Sequence, residues 1–323
     1  MAIDKLESNN GQKIKFSNQR IAYGDTLIEL GRENKDIVVL EADLGKSTMT
    51  YQFQQEFPER YFEMGIAEAN MMSFAAGLSL TGKIPFANTF AVFASGRPYD
   101  QIRQSISIGK LNVKIIGSSA GLSDFGDGAT HQSVEDIAIM RAIPNMTVIA
   151  PCDAIEAKKV TRAITEYDGP VYVRLIRNDM PEIFPEDQEF KIGKPYVVKE
   201  GKDITIFAIG IMVSMALKAA EALEKEGVSV RVVNVSTLKP LDENAIIDLV
   251  DGMKGVVTAE EHSCIGGLAS AITYTLRGKA VPIEVVAIQD EFGQSAYSYD
   301  ELLIHYGLTD NDIAEKVRRI LNR

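Results

Sequence analysis

One carboxylate, Glu68, stands where a short strand gives way to a helix, in the stretch YFEMGIAEANM at residues 61–71. A carboxylate in the first turn of a helix has two interpretations. It is either a favourable partner of the helix dipole, worth up to about 1 kcal/mol, or a desolvated acid that shares a proton with a ligand nitrogen. The neighbouring Met64, Met71 and Met72 supply the apolar surroundings that the second interpretation requires.

Two aromatic residues, Phe90 and Phe93, follow an apparent strand in the segment TFAVF. Residues spaced in this way either pack in the core or offer an aromatic face on which a flat ring can stack. The helix that follows carries a polar face, including Arg97 and Arg103, which is a candidate interface.

The loop GDGATHQ, at residues 126–132, places Asp127 and His131 four residues apart among glycines that allow a ligand to approach the backbone closely. His131 either caps a turn or contacts that ligand. The GDG triplet is also how a magnesium-diphosphate motif begins. The asparagine that completes such a motif is missing at the required spacing, because Asn145 comes too early, so no metal site is predicted here.

The composition bounds the class of protein. With 323 residues, 46% of them hydrophobic, the chain is long enough for two domains. A formal charge of -11 argues against a nucleic-acid or membrane-surface partner. Cys152 and Cys264 show no metal-ligand or disulfide spacing, and we expect them to be inert. No apolar window is long enough to span a bilayer, and the expected compartment is the cytoplasm.

Short apolar runs alternate with segments of helical periodicity along the whole chain. Strands that are apolar on both faces and alternate with helices are typical of a parallel sheet covered on both sides. The sequence therefore predicts the α/β class, with two doubly wound, mostly parallel-sheet domains. The predicted strands are IVVLEA, KIIGSS, MTVIA, VYVRLI, ITIFAIG, VRVVNV, VVTAEE and IEVVAI.

The predicted domain boundary lies where the βα pattern is interrupted. Proline and acidic residues without periodicity fill this region, which suits a surface linker. We predict an N-terminal lead-in at residues 1–14, a first domain at 15–180, a linker at 181–194 and a second domain at 195–323. In such sheets ligands bind in the loops at the carboxyl ends of the strands, which is where Glu68 and His131 are expected.

Four motifs, in this order, resemble the C-terminal half of transketolase. The resemblance covers the chain from about Lys15 to its end and implies a pyrimidine-binding domain followed by the family's C-terminal domain. Deoxyxylulose phosphate synthase shares the IAE, THQ and EEH blocks, whereas the beta subunit of 2-oxo-acid dehydrogenases is similar in plan but has a different histidine loop. The motifs are RYFEMGIAEANM, ANTFAVFASGRPYDQIRQSI, GDGATHQSVEDIAIMRAIPNMTVIAPCD and GPVYVRLIRNDMP.

The resemblance implies thiamine diphosphate as the cofactor. Glu68 matches the glutamate that bonds the aminopyrimidine ring and so promotes removal of the thiazolium proton. Phe90 and Phe93 match the aromatic residues that pack on that ring. A third aromatic residue of the family is missing, since Ser95 and Gly96 occupy that turn.

The resemblance also implies a sugar phosphate substrate. His131 and Asp127 match the pair that contacts the donor sugar, and Arg177 matches an arginine that binds its phosphate. Arg20 and Ser47 match two further phosphate contacts, for which the guanidinium fork is well suited.

One position departs from the family pattern near this phosphate end. Many transketolases carry a histidine where this chain has Ser119, twelve positions before His131. The hypothesis is that Ser119 changes the preference for donor or acceptor sugar.

The Mg²⁺ and diphosphate end of the cofactor would be bound by another chain. We therefore predict an N-terminal transketolase subunit as partner, most simply in an α2β2 heterotetramer, with this chain as a natural subunit. Two alternatives stay open: half of another thiamine enzyme, resembling deoxyxylulose phosphate synthase or a dehydrogenase beta subunit, and a non-catalytic binding module. The block EEHSCIGG, with Glu260, Glu261 and His262, is interpreted as close helix packing in a structural domain rather than as an anion site.

Overall fold

The computed structural model describes residues 15–322, so the predicted lead-in at 1–14 lies outside the described residues. The strands are β1 (Phe16–Asn18), β2 (Ile37–Glu41), β3 (Tyr61–Glu63), β4 (Ile84–Phe90), β5 (Lys114–Ser118), β6 (Thr147–Ile149), β7 (Val171–Arg174), β8 (Asp179–Pro181), β9 (Tyr196–Lys199), β10 (Ile204–Ala208), β11 (Val230–Asn234), β12 (Thr237–Lys239), β13 (Gly255–Ser263) and β14 (Ile283–Ile288).

The helices lie between these strands and follow them at the end of the chain. They are α1 (Gln19–Glu33), α2 (Gly45–Thr48), α3 (Tyr51–Glu56), α4 (Glu68–Leu80), α5 (Ala91–Gly96), α6 (Tyr99–Gln101), α7 (Asp136–Ala142), α8 (Ala154–Glu166), α9 (Met212–Glu224), α10 (Glu243–Asp248), α11 (Leu268–Thr275), α12 (Tyr299–His305) and α13 (Asp310–Leu321).

The first half of the chain builds a sheet with the strand order β12-β6-β7-β5-β4-β2-β3. Its neighbouring strands are parallel, except that β12 runs antiparallel to β6. The central strands are buried along their whole length, as in β2 and β5. Such strands must be apolar on both faces, which is why they appear in the sequence as unbroken apolar runs.

The second half builds a smaller sheet with the order β14-β13-β10-β11-β9, in which only the pairing of β9 with β11 is antiparallel. Helices α9, α11 and α13 contact β13 of this sheet. Helix α13 begins with a capping box between Thr309 and Asp312, which satisfies backbone donors of its first turn. The predicted α/β class with two mostly parallel sheets is confirmed.

Strand pairing and hydrogen bonds, as well as chain connectivity, join the two halves of the protein. Strand β12 belongs to the predicted second domain, yet it completes the first sheet at its edge beside β6. The carboxylate of Asp153, in the first half, accepts hydrogen bonds from the backbone N–H groups of Ile183 and Phe184, which lie in the predicted linker. The linker is therefore fixed against the first half, and the boundaries at 181 and 194 stay predictions.

A single cluster of buried apolar side chains includes residues of both halves, among them Leu40, Met71, Phe207 and Leu238. Because apolar burial is the dominant favourable term in folding, this shared cluster fixes one half against the other. Cys152 is buried, and burial raises its pKa well above that of an ordinary thiol. No helix within residues 15–322 has the length and apolar character needed to cross a bilayer.

Candidate active site

The candidate residues lie along one edge of the first sheet. Strands β7, β5, β4, β2 and β3 are neighbours and parallel, so their carboxyl ends meet at the same edge. Glu68 begins the helix after β3, and Phe90 is the last residue of β4. His131 lies in the loop after β5, and Arg177 lies three residues beyond β7.

Glu68 is the first residue of α4, and only 4% of it is exposed. Its Oε1 accepts a hydrogen bond of 2.6 Å from Nη1 of Arg97, whose side chain is 47% exposed. Its Oε2 has no hydrogen-bond partner among the described side chains and backbone groups. The carboxylate thus has one oxygen fixed by a cation and one available as an acceptor.

Three rings lie together, and one of them contacts the guanidinium that binds Glu68. Phe90 and Phe93 are stacked, with centroids 6.0 Å apart and planes inclined by 13°. The imidazole of His131 meets Phe93 edge-on, with centroids 5.3 Å apart. The guanidinium of Arg97 lies 3.9 Å from the centroid of Phe93, so a cation contacts the aromatic pair.

A short turn positions the polar pair of the loop that follows β5. Residues Gly128–Thr130 form one turn of 3₁₀ helix, and Asp127 and His131 flank it on either side. Asp127 is exposed and His131 is half-buried. The Nδ1 atom of His131 forms a hydrogen bond of 2.9 Å with the hydroxyl of Thr130, which orients the ring. We call residues 119–134 the substrate loop, after the role that the family resemblance implies for it.

The substrate loop also supplies a buried carboxylate that pairs with Arg177. Nη1 of Arg177 donates to Oδ2 of Asp124 at 2.9 Å, and the Asp124 side chain is only 4% exposed. Burial raises the pKa of Asp124, while the charge of Arg177 opposes this. Asp124 belongs to the same loop as Asp127 and His131, three and seven residues before them.

Arg20 connects the first helix to this region. Its Nη1 donates to the backbone carbonyl of Ser47 at 2.7 Å, and its Nη2 donates to the carbonyl of Arg177 at 2.9 Å. Burial and the nearby charge of Arg177 lower the pKa of Arg20 to about 10. The structure thus brings Arg20, Ser47 and Arg177 together, with Ser47 contacting Arg20 through its backbone.

An open cavity of about 680 Å³ adjoins the two arginines and is lined by both halves of the chain. Two guanidinium groups and several hydrogen-bonding groups on its wall suit a small polar ligand. The lining residues are Phe16, Arg20, Phe125, Arg177, Asn178, Asp179, Ser298, Tyr299 and Asp300.

Ser119, the departure from the family pattern, is fully buried and has a left-handed backbone conformation, with φ of 51°. Its hydroxyl finds no hydrogen-bond partner within residues 15–322 and is not part of the cavity wall. Its influence on the sugar preference stays a hypothesis, and it would act through the backbone rather than through a direct contact.

Two residues of this site were not identified from the sequence. Arg97 was interpreted as part of a polar interface face, yet it forms an ion pair with Glu68 across 29 residues of chain. Asp124 belongs to no motif, and its pairing with Arg177 spans 53 residues. The available signal for Asp124 was its position in the glycine-rich loop, three residues before Asp127.

The groups present fit an aminopyrimidine ring. Stacked phenyl rings provide apolar surface for a flat heterocycle. A buried carboxylate with one unpaired oxygen can accept a hydrogen bond from a ring nitrogen that carries a proton. Glu68, Phe90 and Phe93 are therefore chemically suited to the pyrimidine end of thiamine diphosphate.

A sheet of this kind, with a carboxylate, aromatic rings and a polar loop at the carboxyl ends of its strands, is typical of α/β proteins that bind a ligand at that edge. Residues 17–182 match the transketolase pyrimidine-binding domain, and residues 193–313 match the transketolase C-terminal domain. The chain belongs to the transketolase family, whose enzymes are thiamine diphosphate-dependent transferases.

Several relatives are similar along almost their whole length. A transketolase C-terminal section of Methanocaldococcus jannaschii is 47% identical, over 94% of this chain and 96% of the relative. A 6-deoxy-6-sulfo-D-fructose transketolase subunit of Clostridium sp. is 42% identical, over 94% of each chain. Human transketolase is 33% identical, and the match covers 94% of this chain but 49% of the human enzyme.

Solved structures support the same conclusion. A split-gene transketolase described as an inactive β4 tetramer superposes with a TM-score of 0.86 at 48% identity, covering 94% of this chain and 98% of the other. Transketolase of Campylobacter jejuni, at 24% identity, has the same fold, with a TM-score of 0.82. The predicted resemblance to split transketolase C-terminal subunits is thereby confirmed.

Proposed function

We propose that this chain is the C-terminal subunit of a split transketolase. With a partner subunit it transfers a two-carbon ketol unit from a ketose phosphate to an aldose phosphate, and thiamine diphosphate binds at the interface between the two. The observation that carries the proposal is the Glu68 carboxylate. It is buried, Arg97 joins it to the stacked rings of Phe90 and Phe93, and one of its oxygens is unpaired among the described groups.

Each residue of the pyrimidine site has a distinct task in this proposal. Phe90 and Phe93 pack on the aminopyrimidine ring and exclude water from it. Glu68 accepts a hydrogen bond from the ring nitrogen and stabilises its protonated form, while Arg97 keeps the Glu68 carboxylate oriented. When bound, thiamine diphosphate supplies a nucleophilic carbon that takes up the ketol unit.

The substrate loop and the two arginines bind the sugar in this proposal. His131 and Asp127 hydrogen-bond the hydroxyl and carbonyl oxygens next to the reacting carbon. Arg177, with Arg20 and the Ser47 backbone beside it, binds the phosphate group at the far end of the sugar. The ion pair between Arg177 and Asp124 supports this role, because it fixes one side of the guanidinium and leaves the other nitrogens available.

The proposed partner is an N-terminal transketolase subunit that holds Mg²⁺ and the diphosphate, with an α2β2 assembly as the simplest arrangement. The existence of split relatives that match this chain over nearly their whole length supports a separate partner. The relative described as an inactive β4 tetramer supports the expectation that this chain alone does not catalyse the reaction.

Reconstitution tests the proposal. The chain is expressed alone and together with an N-terminal transketolase subunit that carries the complete magnesium-diphosphate motif, and ketol transfer between a ketose phosphate and an aldose phosphate is measured. We expect a stoichiometric complex with activity that depends on thiamine diphosphate and Mg²⁺, and no activity from the chain alone. A complex that forms and binds cofactor but decarboxylates pyruvate without ketol transfer would replace this proposal with another thiamine enzyme.

A matched pair of variants identifies the site within that complex. Glu68→Ala removes the carboxylate, whereas Ser73→Ala changes an exposed residue of the same helix. We expect the first to abolish most activity and the second to leave it unchanged. Full activity of the Glu68→Ala complex would contradict the assignment of the site and favour a binding module.

A further inference from the structure

The substrate loop, residues 119–134, is held in place by the second half of the chain as well as by the first. The backbone N–H of Leu122 donates to Oε1 of Glu261 at 2.7 Å. The side chain of Gln132 donates to the carbonyl of Gln294 at 3.0 Å. The backbone N–H of Ala296 donates to the carbonyl of Phe125 at 2.9 Å.

The packing around these hydrogen bonds is tight. A Cβ atom added to Gly121 would lie 2.4 Å from the carboxyl carbon of Glu261, and the φ of +63° at Gly121 disfavours any side chain. A Cβ atom added to Gly128 would lie 2.4 Å from the hydroxyl oxygen of Ser295. The loop backbone at Gly121 and Gly128 therefore packs directly against the side chain of Glu261 on β13 and against Ser295.

Among the residues that bind the loop, Glu261 is unusual because it is a carboxylate with only 1% exposure. Burial raises the pKa of Glu261 to about 7, and the charge of Arg174 opposes this shift. Arg174 is itself buried, donates to the backbone carbonyl of Glu261 at 2.8 Å and pairs with Asp136 at 3.0 Å. Strand β7 of the first half, β13 of the second half and the substrate loop thus share one buried polar network.

The neighbouring Glu260 has a different role, although it is equally buried. Its two oxygens accept hydrogen bonds from the backbone N–H groups of Leu268 and Ala269, at the start of α11. These contacts lie entirely in the second half of the chain. Glu260 is therefore a matched control for the effects of changing a buried carboxylate on β13.

We propose that Glu261 is a positioning residue for the substrate loop, and that the second domain thereby forms part of the substrate site. Its carboxylate fixes the Leu122 amide and, with the segment at 293–296, sets the place of Asp127 and His131. The same segment leads into Ser298 and Tyr299, which line the cavity beside the arginines. This inference rests on the proposed function for the roles of Asp127 and His131, but the contacts of the loop are independent of it.

The test compares Glu261→Ala, Glu261→Gln and Glu260→Gln by amide hydrogen exchange of the full chain and by kinetics of the reconstituted complex. In Glu261→Ala we expect exchange of the 119–134 segment to rise by about tenfold or more, since the hydrogen bond from the Leu122 amide to the Glu261 carboxyl group is lost. The KM for the ketose phosphate rises by a similar factor, while thiamine diphosphate affinity is unchanged. Glu261→Gln keeps an acceptor oxygen and restores most of the protection.

The control and a second variant keep the inference falsifiable. Glu260→Gln lowers the unfolding midpoint but leaves loop exchange and KM as in the wild type. If Glu261→Ala fails to fold, Gly293→Ala serves instead. Its Cβ would lie 1.7 Å from the side-chain oxygen of Gln132 and would displace the Gln132 side chain, which hydrogen-bonds the carbonyl of Gln294. We expect the same pattern of loop exposure from it.

The inference would be overturned if the loop of Glu261→Ala exchanged its amide hydrogens as slowly as the wild type. It would also be overturned if Glu260→Gln raised loop exchange as much as Glu261→Ala does. So would loop exposure with no change in KM in an active complex. If the wild-type complex shows no ketol transfer while loop exchange still depends on Glu261, the proposed function fails and the positioning of the loop stands.

Discussion

Arg97 and Glu68 form an ion pair of 2.6 Å in which one partner is half exposed and the other is almost fully buried. The same guanidinium lies over the ring of Phe93, so its plane is fixed by a carboxylate and by an aromatic face. This arrangement sets the direction of the Glu68 carboxylate at the helix start. The ion pair therefore links the first turn of α4 to α5. Phe93 lies in α5, and Phe90 and Arg97 flank it.

A double-mutant cycle measures this link. The changes are Arg97→Ala, Glu68→Gln and both together, and the quantity is the free energy of unfolding of the chain in urea. We expect a coupling energy of about 1 kcal/mol, because removal of Arg97 leaves a buried carboxylate unpaired. The exposed pair Arg32–Glu56 is the control and should couple less strongly. Additive effects of Arg97→Ala and Glu68→Gln would mean that the contact does not stabilise the site.

Arg177 should govern affinity for the phosphate group. Arg177→Ala is expected to raise the KM for sugar phosphates by about 10- to 100-fold with a smaller effect on kcat, since it removes charge-assisted hydrogen bonds worth roughly 1.5–3 kcal/mol. Arg177→Lys should recover only part of this, because an ammonium group cannot pair with two phosphate oxygens through one planar fork.

The control for Arg177 is Arg277→Ala, an exposed arginine whose charge is stacked on Tyr274 in the second half of the chain. It should leave KM unchanged. Equal kinetics in the Arg177→Ala and Arg277→Ala complexes would remove Arg177 from the substrate site.

Glu260 should make stability depend on pH. Burial raises its pKa to about 7, from an ordinary value of 4.5. Between these two values the folded chain holds a proton that the unfolded chain has released, so this group's contribution to stability falls as the pH rises through that window and is constant above it. The wild type should therefore lose stability relative to Glu260→Gln between about pH 5 and about pH 8.

Urea unfolding of both proteins at the two pH values measures that difference. Glu315→Gln, at an exposed position of α13, is the control for a change of net charge. A stability difference between wild type and Glu260→Gln that is the same at both pH values, or that shifts in the opposite direction, would contradict the assignment.

Much of the fold was predictable because the central strands are buried on both faces. The run IVVLEA became β2, and ITIFAIG became β10. Strands β1, β8 and β12 are three residues long and, unlike the equally short β6, belong to no apolar run that would mark them. The pairing of β12 with the first sheet depends on contacts distant in sequence, so local propensity could not reveal it.

The candidate site, whose function stays a proposal, was indicated by the sequence where a motif marks it. It was not indicated where two side chains distant in sequence contact each other. Glu68, Phe90, Phe93 and His131 stand in recognisable blocks, and the structure gathers them at one edge of the sheet. For the EEHSCIGG block, a Cβ atom added to Gly267 would lie 2.0 Å from a carboxylate oxygen of Glu260, which supports the close packing predicted there. The hydrogen bond from Leu122 to Glu261 joins residues 139 positions apart, and no local pattern indicates it.

The most direct measurement of the central claim is the exchange rate of the thiazolium C2 proton of thiamine diphosphate in the reconstituted complex, followed by NMR in deuterated buffer after acid quench. Wild type, Glu68→Gln and Ser73→Ala are compared at saturating cofactor. We predict that Glu68→Gln slows this exchange by about 10²- to 10⁴-fold, the usual contribution of a positioned acid–base group, and that Ser73→Ala matches the wild type. Equal exchange rates in wild type and Glu68→Gln would contradict the claim that Glu68 activates the cofactor.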